Sequence, residues 1–335
     1  YIVVVKVGKP SERSRAGNPG KRDSQILLMR YLNRVHFNAP MSPLELKIYH
    51  QMQNDPTFYE CIFTVDADTS VTAKSLNRLV AASVSDSNII GICGETRLQN
   101  GGWTVHEYYI SHNLSKAFKS LFGSVSCLPG CFTLYRVRTN DKGRPLIISN
   151  HVIDEYADNN VDTLHERTLF SLGEDRFLMM LLTKHFPTFK TKFIPDAIVP
   201  TMAPVSWRVL FSQRRCWINL TVHNLCEFAI LPDLCRICRF SMRFFIYLDL
   251  IGTLVRSFQS VNLAWLIVEA ATGQSPFPLI SIIMLAAVYG LQVGSYLPIR
   301  REFMLVGWMV VYLISRVKLF LYSFFLLIYS FWRMD

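Results

Sequence analysis

The sequence predicts an α/β domain on a mostly parallel sheet, followed by an amphipathic interfacial helix region and a transmembrane helical region. Three observations carry this expectation. Short apolar runs alternate with helical patterns up to about residue 205. A long basic and aromatic helical pattern occupies 206–230. Apolar residues then crowd the stretch after Phe240. The expected division is therefore 1–205, 206–242 and 243–335.

The first element is a strand, Tyr1 to Val5, which starts without an initiator methionine or a signal peptide, so the sequence reads as a fragment. A Gly-, Pro-, Ser- and Arg-rich loop reaches Gly20, and Ile26–Leu32 lies in a helix. Lys21 and Arg22 at that loop-to-helix junction suit a phosphate, because charge and helix-start amides act together. A solvated basic turn is the plainer reading of the same residues. Asn38 to Thr57 is polar and reads as a surface excursion with a short helix.

Cys61 to Val65 is a short β-prone run that leads into Asp66-Ala67-Asp68. Alternation along a strand sends Asp66 and Asp68 to one side where it leaves the sheet. Two hard oxygen ligands there can hold Mg²⁺ or Mn²⁺ beside a substrate diphosphate, although acidic pairs also cap many strands and turns. From Thr72 a helix presents Leu76, Leu79, Val80 and Val84 on one face, and Ile89 to Cys93 is a strand. Trp103 to Leu121 reads as a helix with core aromatics. Leu128-Pro129-Gly130 is a turn that delivers a strand, Cys131 to Tyr135. Glu174 and Asp175 open a helix, where acids often only complement the dipole. Lys192 to Val199 is the last strand.

The helix from Ser206 to Ile230 carries an apolar stripe (Trp207, Leu210, Phe211, Ile218, Val222, Leu225, Ala229). Its polar stripe is Arg208, Ser212, Arg215, Asn219 and His223. Gln213, Cys216 and Trp217 share a third face suited to packing on the α/β domain. Spans are expected at Phe244–Ala271 and Phe277–Leu297, with one or two more within Phe303–Trp332. Asp249, Thr253 and Arg256 would share a face of the first, as a pair or a polar path. Arg236, Arg239, Arg243, Arg300 and Arg301 put the flanks on the cytoplasmic side.

The totals agree. Thirty-five basic against 25 acidic residues give +10 in a chain that is half hydrophobic. That combination suits basic flanks around membrane segments. Nucleic acid is not an expected partner, for no zinc-finger or basic-heptad pattern occurs. The eight cysteines, including the Cys127/Cys131 and Cys235/Cys238 pairs, read as free thiols. The Asn-x-Ser/Thr matches at Asn113 and Asn219 then never meet glycosylation machinery.

Read together, five motifs resemble fungal-type chitin synthases, which are processive, inverting family 2 glycosyltransferases. They are Gly-Lys-Arg-Asp-Ser-Gln (20–25), Asp66-Ala67-Asp68, Cys-Leu-Pro-Gly-Cys-Phe (127–132), Gly-Glu-Asp-Arg (173–176) and Gln-Arg-Arg-Cys-Trp (213–217). The resemblance covers nearly the whole chain. It is nearest the division whose members often carry a myosin-like or cytochrome-b5-like N-terminal region. It implies a GT-A-type (Rossmann-like) domain, UDP-N-acetylglucosamine as donor, a growing chitin chain as acceptor, and a divalent cation, Mg²⁺ or Mn²⁺. It also implies contact with membrane lipids, a plasma-membrane or vesicular location with the catalytic domain in the cytosol, and a homo-oligomer.

By position, the resemblance implies that Asp66 and Asp68 form the metal and nucleotide site, with Asp68 the more direct ligand. Lys21 and Arg22 would contact the donor diphosphate, and Leu128, Pro129 and Gly130 would wall the acceptor site. Asp175 would be the general base and Glu174 its orienter. Gln213 and Trp217 would hold the acceptor end at a channel mouth.

One residue departs from the pattern: Cys216 stands where the family has arginine. A neutral thiol cannot replace a guanidinium fork, and such a contact is worth roughly 3 kcal/mol, or about a hundredfold in rate. Arg214 or Arg215 would then serve the diphosphate from another helix face. The family's first nucleotide-binding strand is expected before Tyr1, and a further segment after Asp335. The competing readings are a related cellulose or hyaluronan synthase, and a non-catalytic or inactive membrane-bound paralogue.

Overall fold

The computed structural model describes residues 2–5, 20–52, 54–100, 104–121, 123–158, 173–204, 206–231 and 243–252. It also describes 236, 237, 240, 241 and isolated positions within 163–169 and 265–291. The helices are α1 Lys21–His36, α2 Pro43–Gln51, α3 Ala73–Ser85, α4 Thr104–Tyr109, α5 Ser115–Leu121, α6 Asn150–Ala157, α7 Glu174–His185 and α8 Trp207–Ile230. A π-helical turn, Ile110–Leu114, joins α4 to α5. The strands are β1 Cys61–Val65, β2 Ile89–Leu98, β3 Phe132–Arg136 and β4 Lys190–Thr201.

The four strands form one sheet in the order β1-β3-β2-β4. It is mixed rather than mostly parallel: β3 runs antiparallel to both β1 and β2, and only β2 and β4 are parallel. The turn at Pro129-Gly130 feeds β3 back between β1 and β2, in a register that puts Phe132 opposite Val65. The amino end of β3 therefore sits at the carboxyl end of β1. That single pairing places the Leu-Pro-Gly turn beside the two aspartates.

Alternation along the strands splits the core in two. Leu134, Ile89, Ile92, Ala197 and Val199 pack with Leu79 of α3 on one face. Tyr135, Ile90, Cys93 and Phe193 pack with α1, α6 and α7 on the other. The layers are helix, sheet, helix. Six successive residues of α7, Phe177 to Leu182, are buried, so this helix is enclosed all round.

The inward face of α3 is rotated from its expected position. Ser75, Leu79 and Ser83 are buried, whereas Val80 and Val84 are exposed. Hydrogen bonds set the rotation: Ser75 Oγ donates to the Ile198 carbonyl at 2.6 Å, and the Ser83 hydroxyl accepts from buried Arg136 at 3.0 Å. Residues 2–5 are exposed and form no strand, as no described strand lies alongside to pair with them.

Helix α8 is not simply a surface helix. Leu210, Leu220, Leu225 and Phe228 are buried, and so are Arg214, Asn219 and Asn224. Asn219, expected on the polar stripe, thus faces the interior. A further helix, α9 (243–252), follows a two-stranded turn, and its Phe245 and Ile246 join the main core. Asp249 pairs with Lys119 of α5, so this member of the polar face expected to line a span meets the α/β domain, while Thr253 and Arg256 lie outside the described residues. Among the described residues no helix is long and apolar enough to cross a membrane. The expected spans after residue 252 and the Cys235/Cys238 pair lie almost wholly outside the described residues. The described cysteines are all free, and Asn113 and Asn219 are both buried.

Candidate active site

Four segments meet at the carboxyl end of β1: the start of α1, the turn after Val65, the Leu-Pro-Gly turn before β3 and the start of α7. Asp66 N–H donates to the Cys131 carbonyl, which stitches two of them together. The chain turns immediately after β1, with Thr69 N–H donating to the Asp66 carbonyl at 3.1 Å. Asp66 and Asp68 therefore flank a turn instead of continuing a strand. Asp66 is part-buried and ion-paired with Lys21, while Asp68 is exposed and accepts from Thr69 Oγ1 at 3.3 Å.

Asp175 is the most tightly held carboxylate of the group. The Gly130 amide donates to its Oδ2 at 2.9 Å, and Gln25 Nε2 approaches Oδ1 at 3.4 Å. A Cβ on residue 130 would lie 2.4 Å from Asp175 Oδ2 and 2.5 Å from Oδ1, so only glycine admits this approach. Burial pushes the Asp175 carboxyl above the usual range. The Gly130 amide, Lys21 and Gln25 pull the other way without cancelling that effect, and Asp66 adds to it. Glu174 is also raised, first by burial and then by the charge of Asp175. For Lys21, burial is opposed and outweighed by its bond to Asp66 and by the surrounding carboxylates, so its ammonium is strengthened.

The remaining expected residues are placed as follows. Arg22 turns away from the carboxylates and donates to the carbonyls of Tyr156, at 2.8 Å, and Asp158. Leu128 is fully buried in the core and shapes the turn from beneath. Gln213 and Cys216 line an open groove along α8 with Arg208, Val209 and Ser212. Arg214 and Trp217 point instead towards α4 and the π turn. The Arg214 guanidinium lies 4.6 Å over the Trp217 ring and 5.6 Å over Tyr108, and Arg215 is part-buried.

Three features escaped sequence reasoning. Gln25 is a second-layer partner: it bonds Asp175, and its amide oxygen accepts from the Tyr156 hydroxyl, which also reaches the Glu174 carbonyl at 3.3 Å. The spacing of Lys21 and Gln25, one helical turn apart on the same face, was the available signal. Glu95 is buried on β2, where Arg97 and Asn113 bond it at 3.0 and 2.8 Å. Finally, α8 grips the segment leading into α7. His165 links to His223 (Nδ1 to Nδ1, 2.5 Å) and to Glu227 (2.7 Å), and a Cβ on Gly173 would overlap Leu220 Cδ1 at 1.8 Å.

Chemically, the arrangement offers one buried, oriented base of raised proton affinity, a nearby hard-oxygen pair, and a cation between them. Burial pushes the Cys131 thiol up and holds Cys93 at about 11, so neither of these two is an activated nucleophile.

Comparison with known proteins is consistent along the full length. A family model described as chitin synthase matches residues 1–335. Chitin synthase 6 of Mycosarcoma maydis is 61% identical over the whole chain, which covers 29% of that protein. Chitin synthase 4 of Cryptococcus neoformans is 60% identical, again over the whole chain and 27% of the relative. Chitin synthase csmB of Aspergillus niger is 59% identical, with 20% of it covered. The chain thus spans less than a third of the length of these curated relatives.

Proposed function

The chain belongs to the chitin synthase family, and on that premise we propose that its carboxylate centre transfers N-acetylglucosamine from UDP-N-acetylglucosamine to a growing chitin chain. The reaction is a single displacement with inversion. Asp175 takes the proton of the acceptor 4-hydroxyl as that oxygen bonds to the anomeric carbon. The bond from the anomeric carbon to the diphosphate breaks, and UDP departs. The supporting observation is the clamp on Asp175: a buried carboxylate fixed by the Gly130 amide and Gln25, with its proton affinity raised. A base held in one orientation loses no freedom at the moment of transfer.

Asp66 and Asp68 are the residues that would hold a divalent cation; the part-buried carboxylate of Asp66 and the exposed one of Asp68 are hard-oxygen donors that suit Mg²⁺ or Mn²⁺, with diphosphate and water completing the shell. Such a cation would supply charge neutralisation at the leaving diphosphate. Lys21, already on Asp66, is placed to follow the same charge. Helix α8 packs on the α/β domain through Leu220 and the His165–His223–Glu227 contacts, and the sequence runs on from α9 into an apolar region. We assign that apolar region to the membrane and the α/β domain to the cytosol.

A second reading, a non-catalytic membrane-bound relative, rests on Cys216 alone. Incorporation of labelled UDP-N-acetylglucosamine into insoluble, chitinase-sensitive polymer by the whole protein in liposomes decides between them, with Cys216 and with Cys216→Arg. Polymer from the cysteine form supports the enzyme. Polymer from the arginine form alone makes this chain a disabled variant, and UDP binding without polymer from either supports the second reading.

A further inference from the structure

The π turn carries a polar pair that the mechanism above does not use. Lys116 is only 6% exposed, and its ammonium makes no ion pair among the described residues. Its hydrogen bond goes to Nδ1 of His112, at 3.3 Å. An ammonium can only donate, so Nδ1 must accept. The ring is therefore neutral, with its proton on Nε2.

The surroundings enforce the same state. Burial comes first, then the charges of Lys116 on its own helix, Arg214 on α8 and Arg176 on α7, and together they hold His112 well below the ordinary imidazole value. The ring stacks on Tyr108 at 5.1 Å and meets the Trp217 indole edge-on at 6.3 Å. A π turn widens the helix by one residue per turn and often marks a functional position. Here it lets Asn113 reach Glu95 while the adjacent His112 stays on the Trp217 side.

We propose that His112 is a substrate-binding residue, whose fixed Nε2–H donates to an oxygen of the terminal sugar of the acceptor chain held at Trp217. This rests on the assignment of Trp217 to the acceptor. The Arg214 guanidinium covers one side of the indole, and a sugar ring seated on the other turns its hydroxyl and acetamido oxygens outward, where a donor fixed in one tautomer discriminates oxygen position. Lys116 is then a positioning residue, which fixes the tautomer and keeps the imidazole uncharged.

The test uses the whole protein in liposomes, with equilibrium binding of a labelled chito-oligosaccharide as a readout that needs no turnover. His112→Phe keeps the aromatic packing and removes the donor; it should weaken oligosaccharide binding about tenfold while UDP affinity is unchanged. His112→Gln retains a neutral donor and should stay within about threefold of the parent. Lys116→Met removes the donor that fixes the tautomer, so the ring can carry its proton on Nδ1 instead; oligosaccharide binding should fall part of the way towards His112→Phe, and Lys116→Arg, which still donates, should restore it. Equal binding by His112→Phe and the parent overturns the proposal. So does equal loss in His112→Phe and His112→Gln, or no oligosaccharide binding by the parent. Polymer synthesis, measured alongside, tests the catalytic reading separately.

Discussion

Gly130→Ala is the most informative single-atom perturbation of the site. The added methyl would sit 2.4 and 2.5 Å from the Asp175 carboxylate oxygens and 2.7 Å from its Cγ. Restoring a tolerable contact requires the carboxylate to withdraw by about 0.6 Å or more. That motion stretches the 2.9 Å bond from the Gly130 amide. A hydrogen bond to a charged group contributes roughly 1.5–3 kcal/mol, and misplacing a reacting group by about 1 Å costs on the order of a hundredfold in rate. The two figures agree, because about 2.7 kcal/mol is a hundredfold. Initial rates of polymer formation by the whole protein should therefore fall about a hundredfold in kcat, with the donor KM nearly unchanged. Activity within threefold of the parent would refute the claim that the clamp positions the base.

Other outcomes follow from the same geometry. Gly173→Ala drives a methyl into Leu220, an overpacking cost of about 1–3 kcal/mol, and Leu220→Ala should recover part of that loss when combined with it; melting of the single and double variants measures the coupling. The base must be ionised to work, and burial raises its pKa, so the acid limb of kcat should lie above the ordinary carboxylate range. Lys21 is one of the charges that lower it, so Lys21→Met should shift that limb further towards neutral pH in a pH–rate profile. Asp68→Asn should raise the Mg²⁺ or Mn²⁺ concentration needed for half-maximal rate by tenfold or more, while oligosaccharide binding stays unchanged.

Much of the site was legible because each of its parts is local. Asp66, Asp68, the Leu-Pro-Gly turn and the Glu174-Asp175 helix start are short signals at element boundaries; the structure brings Asp66, the turn and the helix start together and leaves Asp68 exposed beside them in sequence. What local patterns do not encode is partner choice. Nothing in Cys131–Tyr135 states that this strand pairs antiparallel between β1 and β2, yet that pairing is what makes the four segments converge. Apolar periodicity likewise misplaced the inner face of α3, because Ser75 and Ser83 are buried by hydrogen bonds to β4 and Arg136 that no hydrophobic pattern anticipates. The same holds for Asn219 on α8, Glu95 on β2 and Tyr156 on α6. Asn219 and Glu95 are polar groups in the interior, and the Tyr156 hydroxyl finds its partner, Gln25, far along the chain.

Asp175→Asn tests the central claim most directly. The amide is nearly isosteric with the carboxylate and can still meet Gln25, but it cannot take a proton. In the whole protein, supplied with UDP-N-acetylglucosamine and a divalent cation, the variant should lose at least a thousandfold in chitinase-sensitive polymer while UDP binding persists, a loss within the usual reach of a general base. Polymer synthesis within tenfold of the parent would mean that another group accepts the proton, and the account of this site would be wrong.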